Sequence, residues 1–210
     1  MTMSFPKKLQ SAGRWARGLG VLILLIFAPE GNAGDSVPGA RFFASPDFSS
    51  RSPSDQRWCH KVVASTGQAI APALSSAESI VIYSLDPTHL EDFRPGVTDR
   101  THFHCYPILG RAMWRPGDFD TLRRTLIEGL TPCERVLCFA PRHGLRIRTA
   151  RATIDLVLCF ECHKMQVFGA SPDRRTDDCF FDGEVLQMLN AFLDAHRIPR
   201  SIPPTPDEPR

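Results

Sequence analysis

Alternating and helically spaced apolar residues along the chain predict several strands and two helices. The β-branched run at residues 79–85 (SIVIYSL) is typical of a strand. Residues 103–113 are also extended in character, and Pro107, which cannot donate to a sheet ladder, favours a place at the edge of a sheet. Apolar residues recur at helical spacing over residues 118–130 and 182–196, which predicts one helix in each stretch.

Residues 145–148 and 153–159 are predicted to form a β-hairpin with residues 150–151 as its turn. In this register Arg146 lies opposite Asp155 and forms a cross-strand ion pair with it. One face of the hairpin then carries Leu145, Ile147, Ile154, Leu156 and Leu158, and the other carries Arg146, Arg148, Asp155 and Cys159. Runs of strands with a helix at two points predict an α+β fold, a single domain whose mostly antiparallel sheet has two helices packed on one face.

The first 33 residues have the pattern of a secretory signal peptide. Basic residues precede an uncharged apolar run of eleven residues at 18–28, and small residues at 31 and 33 suit cleavage. A helix across a bilayer needs ~20 such residues, so this run is too short to span. We therefore expect export to the periplasm or the extracellular space, cleavage near Ala33, and no membrane span in the mature form.

Three segments follow this leader. Residues 34–56 are rich in Ser, Pro and Asp and lack periodicity, which predicts a flexible Ser/Pro-rich arm. Residues 57–198 hold the predicted α+β domain, whose first part, residues 57–77, is expected to form one or two short helical turns interrupted by Pro72. Residues 199–210 are predicted to be a disordered Pro-rich tail.

The charge of the chain gives no case for a nucleic-acid partner. The whole chain has 25 Lys and Arg against 23 Asp and Glu, and residues 1–33 hold four of the former and one of the latter. The mature chain then has 21 basic and 22 acidic side chains, because the apparent basicity belongs to the export signal.

All seven cysteines follow the leader, and three of them lie between Cys138 and His163, where we place the candidate site. Exported chains with many cysteines are usually explained by disulfides, so a bridge from Cys138 to Cys159 or Cys162 is the favoured interpretation. An odd number of cysteines leaves at least one thiol over unless a metal, a haem or a second chain takes it.

Three other interpretations of this segment stay open. Zinc would use a C-x4-H…C-x2-C set, which consists of Cys138, His143, Cys159 and Cys162 and has the right ligand types for a tetrahedral site. Haem c would use Cys159, Cys162 and His163, which spell C-x-x-C-H, although here the motif ends a strand. The same two cysteines in an exported chain are also typical of thiol–disulfide exchange.

The arginines of this segment have two interpretations. Arg142, Arg146 and Arg148 have equal parity on an extended chain, so they could form an anion-binding stripe. Charged residues on the solvated face of a half-exposed sheet are commoner, and this interpretation is favoured. Together with His143, Arg142 and Arg146 are the candidates for contact with a ligand or partner.

The segments CFAPRHGLR (138–146) and DLVLCFEC (155–162) resemble a loose group of small exported bacterial proteins. Their signature is C-F-x-P-R-H-G-x-R and then D-L-V-x-C-F-E-C, often after an F-H-x-Y/W-x-x-L-G strand like residues 103–110. The members are uncharacterised, so the resemblance implies a shared unit of fold over about residues 80–168 and no activity. The signature ends at the second cysteine, which makes His163 a local addition and weakens the haem interpretation.

The sequence contains no Gly-rich phosphate loop, no G-x-S-x-G elbow and no H-E-x-x-H motif. We therefore expect an exported binding domain rather than an enzyme. Its Cys-rich hairpin, held by a disulfide or by zinc, would present a surface to an unknown protein or small ligand. The alternative is a periplasmic thiol-redox or c-type haem electron-transfer protein that uses Cys159, Cys162 and His163.

Overall fold

The computed structural model describes residues 36–87, 99–132, 138–169 and 179–201. All of these residues belong to one compact unit of the chain. The predicted signal peptide, residues 1–33, lies outside the described residues, and so does the predicted tail beyond Ser201.

The α+β class and the mostly antiparallel sheet are confirmed. The elements, in chain order, are α1 (Ala40–Phe43), α2 (Pro46–Ser49), α3 (Pro53–Ser75), β1 (Ser79–Leu85), β2 (His102–Phe103), β3 (Tyr106–Trp114), a 3-10 turn (Pro116–Asp118), α4 (Phe119–Glu128), β4 (Leu130–Pro132), β5 (His143–Arg148), β6 (Thr153–Cys159), β7 (Lys164–Phe168), β8 (Cys179–Phe181) and α5 (Gly183–Ala195). Six strands form one antiparallel sheet in the order β2-β3-β1-β5-β6-β7, and β4 pairs with β8 separately.

The predicted hairpin is confirmed in its register. Arg146 of β5 lies opposite Asp155 of β6, and the neighbouring pairs follow the predicted alternation. Thr149 stabilises the turn, because its hydroxyl accepts hydrogen bonds from the backbone N–H of Arg151 and of Ala152. This side chain compensates for a turn sequence that lacks the glycine or asparagine favoured in tight hairpins.

One face of the large sheet packs against helices to form the main core. The five apolar hairpin residues predicted to share a face are all buried there, at 5% exposure or less. Burying such aliphatic side chains contributes about 1.5–3 kcal/mol each. The helical residues of this core include Val63, Ile70, Leu74, Leu122, Leu126, Val185, Leu189 and Leu193.

The longest helix among the described residues, α3, replaces the one or two short helical turns predicted for residues 57–77. It runs for 23 residues through Pro72, where we expected an interruption. Ser52 caps its N-terminus by accepting a hydrogen bond from the backbone N–H of Asp55 at 3.2 Å. Proline removes one helical hydrogen bond, and the buried face of the helix outweighs this loss. The structure therefore has three helices of ten residues or more among the described elements, where two were predicted.

The segment expected to be a flexible arm, residues 34–56, contains α1, α2 and the first turn of α3. Arg41 donates two hydrogen bonds to the carboxylate of Asp182, at 2.7 and 3.2 Å, and a third to the carbonyl oxygen of Thr125. Asp182 also caps α5, so these contacts connect α1 to the start of that helix. A segment with many serines and no clear periodicity can therefore still pack against the domain when an arginine such as Arg41 has several hydrogen-bond acceptors there.

The opposite face of the sheet is covered in part by a second apolar cluster. It consists of Tyr83, Leu85, Phe103, Tyr106 and Val157. Asp155 on this face is 6% exposed, and Arg142, which precedes β5, is 8% exposed. The favoured interpretation of a solvated face therefore fails for these two residues, whereas Arg148 is exposed. Within the described residues, no helix combines the length and the apolar composition that a membrane crossing requires.

Candidate functional site

The Cys-Phe-Glu-Cys segment forms the turn between β6 and β7. Cys159 is the last residue of β6, and it pairs with Lys164 at the start of β7. Cys162 forms a disulfide with Cys138, with the two Cα atoms 5.8 Å apart. This pairing is one of the two expected for Cys138. It ties the turn, residues 159–162, to the chain that leads into β5.

Cys159 remains a thiol beside this disulfide. Its side chain is buried, with 1% exposure. The backbone N–H groups of Ala140 and Cys162 donate to its Sγ at 3.4 and 3.2 Å. Burial raises the pKa of Cys159, and the two N–H donors only partly oppose that shift. The thiol is therefore protonated at neutral pH.

The zinc and haem interpretations concern cysteines that also take part in the disulfide. In this structure Cys138 and Cys162 are joined to each other, whereas zinc would bind both as thiolates and haem c would be attached to Cys162 through a thioether. No group of three His, Cys, Asp or Glu side chains in the described ranges is placed to hold a metal ion. His163, the predicted haem ligand, is exposed and stacks on Phe180 with ring centroids 4.5 Å apart.

His143 points to the helix side of the sheet and is buried there. Its Nε2 lies 3.0 Å from Oδ1 of Asn190 on α5, and its Nδ1 has no hydrogen-bond partner in the described part of the chain. With the amide oxygen as acceptor, Nε2 carries the proton and Nδ1 is an open acceptor. Burial lowers the pKa of His143 to about 4, so the ring is neutral at physiological pH.

A cavity of about 290 Å³ opens beside His143. It lies where the C-F-E-C turn, the start of β5, one side of α5 and the chain after α5 meet. Its walls are formed by Arg142, His143, Phe160, Glu161, Leu186, Asn190, Arg200 and Ser201. Two of the three predicted ligand-contact residues, Arg142 and His143, therefore share one concave site.

The charged side chains of the cavity are held differently. Arg142 is buried, and its Nε donates to Oε1 of Glu161 at 2.6 Å while its Nη1 donates to the hydroxyl of Ser201. Arg200 pairs with Asp194 at 2.9 Å, and both of these side chains are more than 40% exposed. The cavity is therefore lined by two guanidinium groups and one carboxylate, and the neutral His143 adds no charge.

Arg146, the third predicted contact residue, lies on the other face of the sheet. Its guanidinium donates two hydrogen bonds to Asp155, at 2.8 and 2.7 Å, and stands 5.4 Å from the ring centre of Phe103. The second Asp155 oxygen also lies 2.8 Å from Nε2 of His104. Burial favours the neutral form of Asp155, but the bonds from Arg146 and His104 outweigh it and hold its pKa below the usual range. This cluster is an internally compensated ion pair and takes no part in the cavity.

Sequence reasoning missed most of the other cavity residues. Leu186 was predicted on a helix, and Asn190 follows it by four positions, which places both on one face of α5. This spacing was the available signal for Asn190. Arg200 and Ser201 were assigned to the tail, and no local pattern indicates that they turn back to the sheet.

Comparison with protein-family models gives no match, and neither curated proteins nor solved structures provide one. The functions of the cavity and of the three cysteines at 138, 159 and 162 therefore have to be inferred from the chemistry of their side chains.

Proposed function

We propose that the protein is an exported binding domain that holds a small ligand with a carboxylate and an apolar group in the cavity beside His143. The observation that carries this proposal is the composition of the cavity wall. The wall contains two arginines and one glutamate, and Phe160 and Leu186 supply its apolar surface. Small-ligand sites are typically concave and largely apolar, with a few polar groups that fix the orientation of the ligand.

The two arginines have different roles in this proposal. Arg142 is held by Glu161 and Ser201 inside the wall, so its charge is largely compensated and its guanidinium is fixed in place. Arg200 is paired with Asp194 at the surface, and an exposed pair of this kind is worth about 0–1 kcal/mol. A ligand carboxylate can therefore compete for Arg200, and a bidentate contact with its guanidinium would orient the ligand.

Asn190 and His143 supply directional polar groups. Asn190 uses its side-chain oxygen toward His143, which leaves its NH₂ group available to donate to a carboxylate. Since His143 is neutral, it can accept a hydrogen bond without repelling the arginines. Export is supported by the pattern of residues 1–33 and by a Cys138–Cys162 disulfide, which suits an oxidising compartment.

Ligand-observed NMR on the purified protein tests this proposal. The probes are phenylpropanoate and isovalerate, each compared with its neutral amide. We expect the acids to bind and the amides to bind at least about tenfold more weakly, because the carboxylate is the group that Arg200 recognises. Equal binding of acid and amide, or no binding of either acid at millimolar concentration, would refute the proposed ligand class.

Two substitutions place the binding in the cavity. Arg200→Gln removes the competable cation and should weaken acid binding by about tenfold. Arg151→Gln is the matched control, because Arg151 is exposed in the hairpin turn and does not line the cavity. If both variants bind the acids like the wild type, the ligand lies elsewhere.

A further inference from the structure

Three cysteines meet at the end of β6. The disulfide joins Cys138 to Cys162, and Cys159, three residues before Cys162, keeps a buried thiol. Its Sγ is 3.2 Å from the backbone nitrogen of Cys162 and 3.4 Å from that of Ala140, two residues after Cys138. These contacts place the thiol of Cys159 against the backbone of Cys162, one of the two disulfide partners, and near the chain that follows Cys138.

The three residues differ in their exposure to solvent. Cys159 is 1% exposed and Cys162 is 4% exposed. Cys138 is exposed. A reagent in solution therefore reaches the side chain of Cys138 far more easily than that of Cys159. A reaction that leaves Cys138 as the free thiol in place of Cys159 therefore replaces a buried thiol by an exposed one.

We propose that Cys159 exchanges with the Cys138–Cys162 disulfide and thereby delivers a reactive thiol to the surface at Cys138. The Sγ of Cys159 loses its proton and attacks Sγ of Cys162. A Cys159–Cys162 bond forms, the Cys138–Cys162 bond breaks, and the electron pair leaves on Sγ of Cys138, which takes up a proton. One disulfide and one thiol are present before and after, so the step consumes no oxidant or reductant.

The backbone around Cys159 suits this step. Two N–H groups donate to its sulfur and partly offset the burial that keeps this thiol protonated, which makes the thiolate, the form that attacks, more accessible than burial alone would allow. Cys159 and Cys162 are three positions apart across one turn, the spacing at which C-x-x-C pairs close. The exposed thiol of Cys138 then forms a site for mixed disulfides with small thiols or for alkylation.

This exchange has a structural consequence that is separate from ligand binding. Phe160 and Glu161 lie between the two exchanging cysteines and also form part of the cavity wall. In the first state the turn, residues 159–162, is tied to Cys138, and in the second state it is closed on itself. The exchange needs only the three cysteines, so it does not depend on the proposed ligand.

Native alkylation tests the exchange. The purified, folded protein is incubated with iodoacetamide, quenched with acid, and mapped by peptide mass spectrometry without reduction. We expect the label to accumulate on Cys138 together with a Cys159–Cys162 disulfide, because alkylation removes the exposed thiol from the equilibrium. Label on Cys159 with the Cys138–Cys162 disulfide retained would overturn the proposal, and so would a Cys138–Cys159 disulfide or the absence of label on all three cysteines.

Two variants identify the attacking group. Cys159→Ser should abolish the labelling of Cys138, since no thiol remains to open the disulfide. Cys59→Ser is the matched control, because Cys59 is also a buried free cysteine but lies in α3, away from the turn. Labelling of Cys138 that persists in Cys159→Ser would show that the disulfide opens by another route. If Cys159→Ser fails to fold, the wild-type peptide map still decides the question.

Discussion

Replacing Asp155 with asparagine tests whether the buried ion pair behind the hairpin stabilises the fold. Asp155 accepts two hydrogen bonds from Arg146, and its second oxygen also contacts His104. Its side chain is 8% exposed. Asparagine has nearly the same shape but no charge, so the substitution leaves Arg146, whose side chain is 17% exposed, without its counter-ion.

The expected loss is large because Arg146, with a largely buried side chain, and the buried His104 both lose the buried carboxylate that they share. Removing one member of a buried ion pair costs about 3–5 kcal/mol. Asp120 provides a control in which water reaches the carboxylate, since Asp120 is 79% exposed and makes a single contact of 2.8 Å with Arg123. Asp120→Asn should cost about 0.3–0.5 kcal/mol, as exposed helical pairs do.

Urea unfolding followed by circular dichroism measures both variants. A loss of 3 kcal/mol moves the midpoint by at least about 1 M, given slopes of about 1–3 kcal/mol per molar urea. The loss should be present at pH 7 and shrink below about pH 4, because a carboxyl with a lowered pKa contributes its full stabilisation above its unfolded-state pKa and loses it as the pH falls toward its folded-state pKa. If Asp155→Asn costs no more than Asp120→Asn, the pair contributes nothing beyond a surface contact and the reasoning from burial is wrong.

Three further predictions concern stability. Reducing the Cys138–Cys162 disulfide, which spans 24 positions, should lower the unfolding free energy by about 3 kcal/mol through the freedom regained by the unfolded chain, and an unchanged urea midpoint would contradict this. Gly169→Ala should cost about 1–3 kcal/mol in thermal unfolding, since Gly169 has φ +83° and a Cβ would collide with the carbonyl oxygen of Thr153, whereas Gly183→Ala, at an open helix start, should be neutral or stabilising. The pKa of His143 is lowered to about 4, so the unfolded chain takes up a proton at this residue at a higher pH than the folded protein does. The free energy of unfolding should therefore decrease by about 3 kcal/mol between pH 6.5 and 4. His143→Gln should flatten this part of the plot of unfolding free energy against pH.

The hairpin could be predicted from the sequence because three local signals agree. Both strands alternate in polarity, the turn lies between them, and only one register pairs Arg146 with Asp155. The long helix α3 was missed because Pro72 was given more weight than the apolar spacing on either side of it. A proline late in a helix removes one hydrogen bond, while burial of a whole face stabilises many residues at once.

The cavity could be predicted only in part. Arg142 and Arg146 have equal parity and were expected on one face, but β5 begins at His143, so strand alternation does not apply to Arg142. Its side chain turns to Glu161 and Ser201 instead. Residues 200 and 201 join the site through the path of the chain after α5, and that path depends on packing between distant segments, which no local pattern records.

The position of β5 at the centre of the sheet connects these observations. His143 at its start faces α5 and the cavity, whereas Arg146 faces the opposite side and is fully engaged by Asp155. The two groups therefore share a strand but no contact partner. A variant that breaks the ion pair should lower stability while leaving acid binding by the remaining folded protein unchanged, and Arg200→Gln should do the reverse. If Asp155→Asn weakened acid binding under conditions in which the variant is fully folded, β5 would have to transmit the change across the sheet, and the ion pair would belong to the site after all.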